Sequence, residues 1–593
     1  MYLGVTDGVV LDMWDLESVA ILGGPQGLLF GRNVTGGAVL VRTRRPGTEF
    51  GVRLKAAAET GPEYVLAGSV EGPLGSRVAA KLTGYIKDDQ GFFDSSATGG
   101  SHYGEDRTFF VRPSILFTPS ENTEVLLRYE HGEMRGDGAV VQNTQYYHGF
   151  DTGVGTEGYT DIRWDQAILE TSWKVPFGDG KITNILAWRD LEHDGLSDVD
   201  GLPQVLFHGG VRTLQDQLSN ELRYAGTVAR GVDLTAGVYY FTQDILYREE
   251  RILSGGAVRS TLGGDQDHWI WAAFVASDVA LSDTLTANLG VRYTKEHKEA
   301  RVATFNALNS PCDFATNACR FDFDDAHDWQ SWIPKLGFDW KPRTDLLLYT
   351  FWTKGVRSGG YNFRNVNPLV AAGPTEQETQ NTFEIGAKSE WADRRLRLNA
   401  AYFHNDIDDL QREIVVVDPV AGAAQVIRNS ADARIQGAEL EAVAALGADL
   451  LLTASVGYTD ADYTTVHTDL TGDGLIDDKD RALELPRVAP WSYGLGLTYD
   501  LALGDFGSSS WRLQYSHRDR AAFTDANTGF LSEVDLLDAS VTYRRPDRSF
   551  SISLYGKNLT DEDYESAVVP LPFGIIRYLN KGRRYGIEFN LSL

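Results

Sequence analysis

The sequence predicts an all-β chain, a transmembrane antiparallel β-barrel of about 22 strands. Three observations carry this. Apolar and polar residues alternate with period two over segments of about ten residues, the length a tilted strand needs to cross a bilayer. The connections between segments alternate between short turns and long polar loops. The pattern runs to the C-terminus without a shift in composition that would start another domain.

The alternation is explicit in "GVRLKAAAE", where Val52, Leu54, Ala56 and Ala58 share one face and Arg53, Lys55 and Glu59 the other. In "TLTANLGVRYT", Leu285, Ala287, Leu289, Val291 and Tyr293 alternate with Thr286, Asn288, Gly290 and Arg292. In "WRLQYSH", Trp511, Leu513 and Tyr515 alternate with Arg512, Gln514 and Ser516. The final "RYGIEFNLSL" sets Tyr585, Ile587, Phe589, Leu591 and Leu593 against Arg584, Glu588, Asn590 and Ser592. Each segment has one apolar face, as a strand between lipid and a polar lumen requires.

Strands are expected near 51–59, 62–72, 76–87, 107–117, 122–131, 163–174, 180–190, 215–225, 232–243, 267–279 and 284–295. They continue near 331–341, 345–354, 379–390, 395–405, 433–444, 449–458, 491–500, 510–517, 533–543, 549–558 and 583–593. The even total suits a single-chain bacterial barrel of the plugged size class. Short turns such as "EGPLGS", "VPFGDGK", "KPRTD" and "WADRR" fall at one end. Long connections at 131–162, 191–214, 296–330, 355–378, 405–432, 459–489 and 560–582 fall at the other. With both barrel termini in the periplasm, the long loops lie outside the cell. Closure removes the sheet edges, which a bilayer cannot hydrate.

Composition narrows the function. No stretch reaches the roughly 18 uninterrupted apolar residues of a membrane helix. A net charge of −28 argues against a nucleic-acid partner, because phosphates are bound by clustered cations. No Gly-x-Ser-x-Gly, His-Glu-x-x-His or P-loop pattern is present, so no catalytic residues are assigned. Met1 to Val10 lacks a basic start followed by an apolar core. Either a targeting segment has been removed or the chain begins late in its reading frame.

The opening residues differ from the rest. "VAILGGPQGLLFGRNVTGGAVLVRTRRP", residues 19–46, is glycine-punctuated and ends in an arginine cluster before Pro46. With the preceding "DLES", it resembles the second half of the plug domain of TonB-dependent outer-membrane receptors. Gly24, Pro25, Gln26, Gly27, Phe30, Gly31, Arg32, Asn33, Gly36, Gly37, Ala38 and Pro46 match that family's pattern. Weaker likenesses follow in "LGVRYTKE" at 289–296, "KGVRSGGYN" at 354–362, "ARIQGAELE" at 433–441 and "GKNLTDEDY" at 556–564. The glycines also permit the tight turns of a small domain packed inside a barrel.

The resemblance implies a C-terminal part of a plug domain at 1–46 and a receptor β-barrel at 47–593, in the bacterial outer membrane and its lipid. It implies a receptor that binds a scarce nutrient at its outer loops: a siderophore-like iron complex, a vitamin or an oligosaccharide. Passage to the periplasm would draw on the TonB energy-coupling complex, although the first plug half and the TonB-box are absent from this sequence. A truncated, partly open passive channel is the alternative. A rim-site barrel enzyme and an adhesion barrel are further alternatives. Two positions depart from the family pattern: Ala20 and Gly23 stand where the family has Glu and Arg, charges that help tie plug to barrel.

Three sets of candidate site residues follow. Cys312 and Cys319, the only two cysteines, lie close together in an outer loop, which favours a disulfide in an exported protein. "DLTGDGLIDDKD", 469–480, has the spacing of a twelve-residue calcium loop. Asp469, Thr471, Asp473, the Leu475 carbonyl, Asp477 and Asp480 would hold a structural Ca²⁺, and Gly474 would allow the sharp turn. Flanking helices are not expected; the bland alternative is a solvated acidic loop. For the ligand, loop aromatics and cations are the candidates, chiefly Tyr146, Tyr147, Arg357, Tyr361 and Arg364. Packing within the loops is the competing role for each of them.

Overall fold

The computed structural model describes residues 3–5, 7, 8, 14–367, 370–418 and 422–593, with side chains described except at 415–418 and 422–425. Twenty-two long antiparallel strands form a closed barrel. Each pairs with the next long strand in sequence. The ring closes where the first, Gly51–Glu59, pairs with the last, Arg584–Ser592, in register from Arg53↔Ser592 to Glu59↔Gly586. Leu593 completes the seam by exchanging two backbone hydrogen bonds with Val52, 2.9 and 2.8 Å.

The side chains are sorted in the reverse of a water-soluble sheet. On Leu285–Ala303, the polar Arg292, Thr294, Glu296 and Lys298 are buried, whereas Leu289 is 45% exposed. On Ser508–Arg518, Ser510 is buried while Trp511 is 54% exposed. Apolar residues facing outward and polar residues facing a filled interior are the requirement of a barrel in lipid.

Each expected strand has its counterpart, but many run further at the outer end. Val232–Leu253 has 22 residues and Gly422–Ala445 has 24, about twice what a bilayer needs. Much of the expected loops 191–214 and 405–432 is therefore strand: the ladders extend to Asp198 and from Phe207, and to Asp418 and from Gly422. Above the bilayer both faces can be polar, so the alternation that marks a strand disappears while backbone pairing continues.

The remaining loops fold over the mouth. Val141–Asn143 joins Glu565–Leu571 and Gly574–Leu579 in a three-stranded sheet, with Ile576 opposite Asn143. Val141, Leu571 and Ile576 of this sheet pack with Val154, Phe207, Leu253, Leu262 and Phe305 in a buried apolar cluster. Burying this cluster gives the outer loops a core of their own, at roughly 25 cal/mol per Å² of apolar surface.

Candidate functional site

The glycine-rich opening forms a hairpin that contacts lumen-facing residues around the barrel. Strands Leu16–Gly23 and Gly37–Thr43 pair antiparallel from Val19↔Val41 to Gly23↔Gly37. Between them, Gly27–Phe30 makes one helical turn, and Gly31 at φ 93° ends it. Gln26 N–H donates to the Val34 carbonyl, 3.0 Å, and the Gln26 amide donates to the Gly23 carbonyl, 3.0 Å. Asn33 takes a left-handed conformation, φ 62°.

Close approach explains the glycines. A Cβ on Gly27 would stand 2.9 Å from Ile333 Cδ1. Across the contact, a Cβ on barrel Gly290 would meet Leu28 Cδ2 at 2.3 Å. Leu28 packs with Ile333 and Val356. Pro25 is buried beside Gly355, and Asn33 bridges to the barrel twice: its N–H donates to the Val356 carbonyl, 3.0 Å, and its Oδ1 accepts from Ser358 N–H, 2.9 Å.

Three ion-pair clusters fasten the segment. Arg32 Nη1 lies 3.1 Å from Glu296 Oε1, which is also 2.8 Å from His268 Nε2 and 3.3 Å from Lys298 Nζ. Ser358 Oγ donates to the second Glu296 oxygen, and the Arg32 guanidinium stands 5.8 Å over the Phe241 ring. The Asp15 carboxylate is fully buried between Lys81 at 2.7 Å and Arg53 at 3.0 Å, with Thr83 donating at 2.9 Å. Arg45 spans Glu124 and Glu170, 3.1 and 3.0 Å. A buried carboxylate between two cations is costly to strip of either partner, so the clusters specify where the segment sits.

Arg32 was legible in the sequence; its partners were not. Glu296 and Lys298 fall just beyond the expected strand 284–295, in the outer extension where alternation no longer separates wall from lumen. Asp15 and Arg45 lie at the two ends of the plug-like stretch, but nothing in the sequence pairs them with Lys81 and Arg53 or with Glu124 and Glu170.

Gly23 and Ala20 are exposed. A Cβ on Gly23 would meet nothing within 4 Å. It borders a cavity of about 920 Å³ between the hairpin and the wall, where Glu384 and Glu439 face the space. Gly36 is also exposed, and Gly37 at φ 150° would set a Cβ 2.5 Å from the Leu22 carbonyl oxygen.

The loop candidates are dispersed. Tyr146 is exposed, and Tyr147 lies beside it in a turn whose N–H groups both donate to the Asn143 carbonyl; burial pushes the Tyr147 hydroxyl pKa up. Arg357 donates to the Gln411 carbonyl, 3.2 Å. Tyr361 donates to Asp325, 2.9 Å, and burial, then that carboxylate, raises its pKa. Arg364 is held by Glu249 through Nη2 at 3.2 Å; burial works against its charge, but Glu249 raises its pKa above the ordinary range. The last three are thus tied into the wall, and the structure does not bring them together with Tyr146 and Tyr147 through any described bond.

Cys312 and Cys319 form a disulfide, Cα–Cα 4.1 Å, in the loop between Leu285–Ala303 and Phe323–Arg343. Beside it, Arg248 donates to the Asn317 carbonyl at 2.7 and 3.0 Å.

In 469–480 the carboxylates turn to the loop's own backbone. Asp469 accepts from Thr471 Oγ1 at 3.1 Å and from the N–H of Gly472 and Gly474 at 2.7 and 2.6 Å. Asp480 is buried and accepts from the N–H of Leu470, Thr471 and Asp477. Asp477 caps a one-turn helix, Asp478–Arg481, where the sequence predicts no helix. Asp473 accepts from Leu475 N–H at 3.0 Å and pairs with Lys479 Nζ at 2.7 Å. That lysine holds the Asp473 pKa below its usual range. Gly474 has φ 86°, as the sharp turn requires. Lys479, also 3.7 Å from Asp477, occupies the place of positive charge in the loop.

A closed 22-stranded barrel with an ion-paired, glycine-rich segment in its lumen defines the class, a plugged barrel of the transporter size range. The chain belongs to the TonB-dependent receptor family: the profile described as "TonB dependent receptor-like, beta-barrel" matches residues 73–559. Members of this family are outer-membrane proteins of Gram-negative bacteria. The pesticin receptor of Yersinia pestis is 24% identical, over 98% of this chain and 81% of its own length. The ferrioxamine B receptor of Salmonella typhimurium is 27% identical over 31% of this chain and 22% of its own length. Among solved structures, the ferric yersiniabactin uptake receptor of Yersinia pestis superposes with a TM-score of 0.84 at 19% identity, covering 98% of this chain and 85% of its own. The siderophore receptor PiuA of Acinetobacter baumannii gives 0.80 at 15% identity, with 98% and 87% covered.

Proposed function

We propose that this chain is an outer-membrane receptor that captures a ferric siderophore-type chelate at its outer loops and passes it to the periplasm with energy coupled through TonB. The observation that carries the reading is the Arg32–Glu296 contact: a plug-type segment seated in the lumen by buried charge. A lumen so occupied needs work to open, which suits coupled transport better than diffusion. The names of two relatives, a ferrioxamine B receptor and a ferric yersiniabactin uptake receptor, support an iron chelate over a vitamin or an oligosaccharide. The protein does no covalent chemistry in this role; its residues bind, seat and release.

The cavity of about 920 Å³ beside Gly23 supports a second reading, a partly open passive channel. One experiment separates the two. The full reading frame that encodes this chain is expressed in a receptor-deficient strain, with and without TonB, and radio-iron uptake is followed with a panel of ferric hydroxamates, catecholates and phenolates. Saturable uptake of one chelate that vanishes without TonB is expected. Uptake that rises linearly with concentration and ignores TonB would establish the channel instead.

A further inference from the structure

The outer end of the barrel holds a buried constellation that the transport reading does not use. Strand Gly180–Asp198 ends at Asp198, the connection carries Asp200, and strand Phe207–Ala229 begins beside His208. The side chains of Asp198 and Asp200 are fully buried and that of His208 nearly so. Their ligand atoms lie within 4.8 Å of one another. His208 Nε2 is 3.5 Å from Asp198 Oδ2 and 3.8 Å from Asp200 Oδ2, yet it makes no hydrogen bond. A buried ring nitrogen in ion-pair range of two carboxylates but hydrogen-bonded to neither is unusual and calls for an explanation.

Backbone groups orient both carboxylates. Asp198 accepts from the N–H of Asp200 and Gly201 on Oδ1, and of Gly155 on Oδ2. Asp200 accepts from Leu202 on Oδ1, and from Leu206 and Phe207 on Oδ2. Three of the roughly four lone-pair positions of each carboxylate are thus taken, and one remains. The open positions lie on Asp198 Oδ2 and Asp200 Oδ1; with the imidazole nitrogen they make three open donors among buried side chains. Such outer-shell N–H bonds are what holds metal-binding carboxylates in place.

We propose that Asp198, Asp200 and His208 bind one divalent transition-metal ion of the Zn²⁺ type, joining the two strands and the 151–155 segment at the mouth of the barrel. The donor set, two carboxylate oxygens and one imidazole nitrogen, suits zinc. Bond lengths of about 2.0–2.2 Å around a tetrahedral ion put neighbouring ligand atoms about 3.4 Å apart, close to the 3.5 Å between the ring nitrogen and Asp198 Oδ2. The charge also fits. With the imidazole neutral, as metal ligation requires, two buried carboxylates carry two negative charges, and a divalent ion cancels them. A fourth position remains for water. The ion would be a resident staple, distinct from any transported chelate.

The test uses the purified full chain, stripped with EDTA and dialysed. Zn²⁺ is titrated by calorimetry, and Co²⁺ is added as a reporter whose visible absorption intensifies at a tetrahedral site. One ion per chain is expected, with binding at least about tenfold weaker in His208→Gln and in Asp200→Asn. His517→Gln, which breaks the other convergence of such groups among the described residues, should leave it unchanged. Should the pocket variants fail to fold, anomalous diffraction at the zinc edge from wild-type crystals must show a peak between the three side chains. No bound ion, binding unaffected by His208→Gln, or no such peak would overturn the proposal and leave His208 as a protonated bridge between two carboxylates.

Discussion

Arg32 of the lumen hairpin and Glu296 of the barrel wall stand 3.1 Å apart, with His268 and Lys298 on the same carboxylate oxygen. Removing the acid leaves two buried cations facing each other. Glu296→Ala should therefore cost about 3–5 kcal/mol. A lower denaturant midpoint, together with raised single-channel conductance as the hairpin loosens, is the expected result. If both are unchanged, the cluster does not hold the segment.

Gly23 faces a cavity with Glu384 and Glu439 on its far side and has open space for a side chain. Gly23→Arg should place a guanidinium against these carboxylates, stabilising the seated hairpin by about 1–2 kcal/mol and lowering the leak of small ions. Equal conductance in planar bilayers before and after the substitution would argue that the cavity is not a route.

Leu28 and Gly290 pack so closely that each dictates the other. Gly290→Val should cost about 1–3 kcal/mol by overpacking, and Leu28→Ala about 2–5 kcal/mol by the cavity it leaves. The double variant should cost clearly less than the sum, because the valine fills space that leucine vacates. Strict additivity in the thermodynamic cycle would show that the two do not touch in the folded protein.

For the loop 469–480, calcium must compete with Lys479, whose ammonium already pairs with Asp473. One weak Ca²⁺ site, with a dissociation constant of about 10⁻⁴–10⁻³ M, is expected by calorimetry. Lys479→Ala should tighten it and Asp473→Ala abolish it. An absence of heat at millimolar calcium in both wild type and Lys479→Ala would establish a loop held by its own backbone bonds and its lysine.

What the sequence determined by itself is the barrel. Period-two alternation is a local signal, and Leu285 to Tyr293 or Trp511 to Tyr515 display it without reference to any partner. The 22 strands, their order and the side on which the long loops lie all follow, because a membrane sheet of hairpins has little choice but to pair neighbours and close. Arg32 and its glycines were visible for a different reason: backbone turns and close packing accept few residue types. Tertiary structure alone decided the rest. Glu296 meets Arg32 only because closure brings that wall to the hairpin, and His268, 236 residues from Arg32 in the chain, joins the same cluster. Asp198, Asp200 and His208 read as loop residues until the outer strands extend beyond the bilayer and fold the connection inward. There, where lipid no longer enforces one apolar face, polar side chains carry no mark of the direction they point, and only the packed fold assigns their partners.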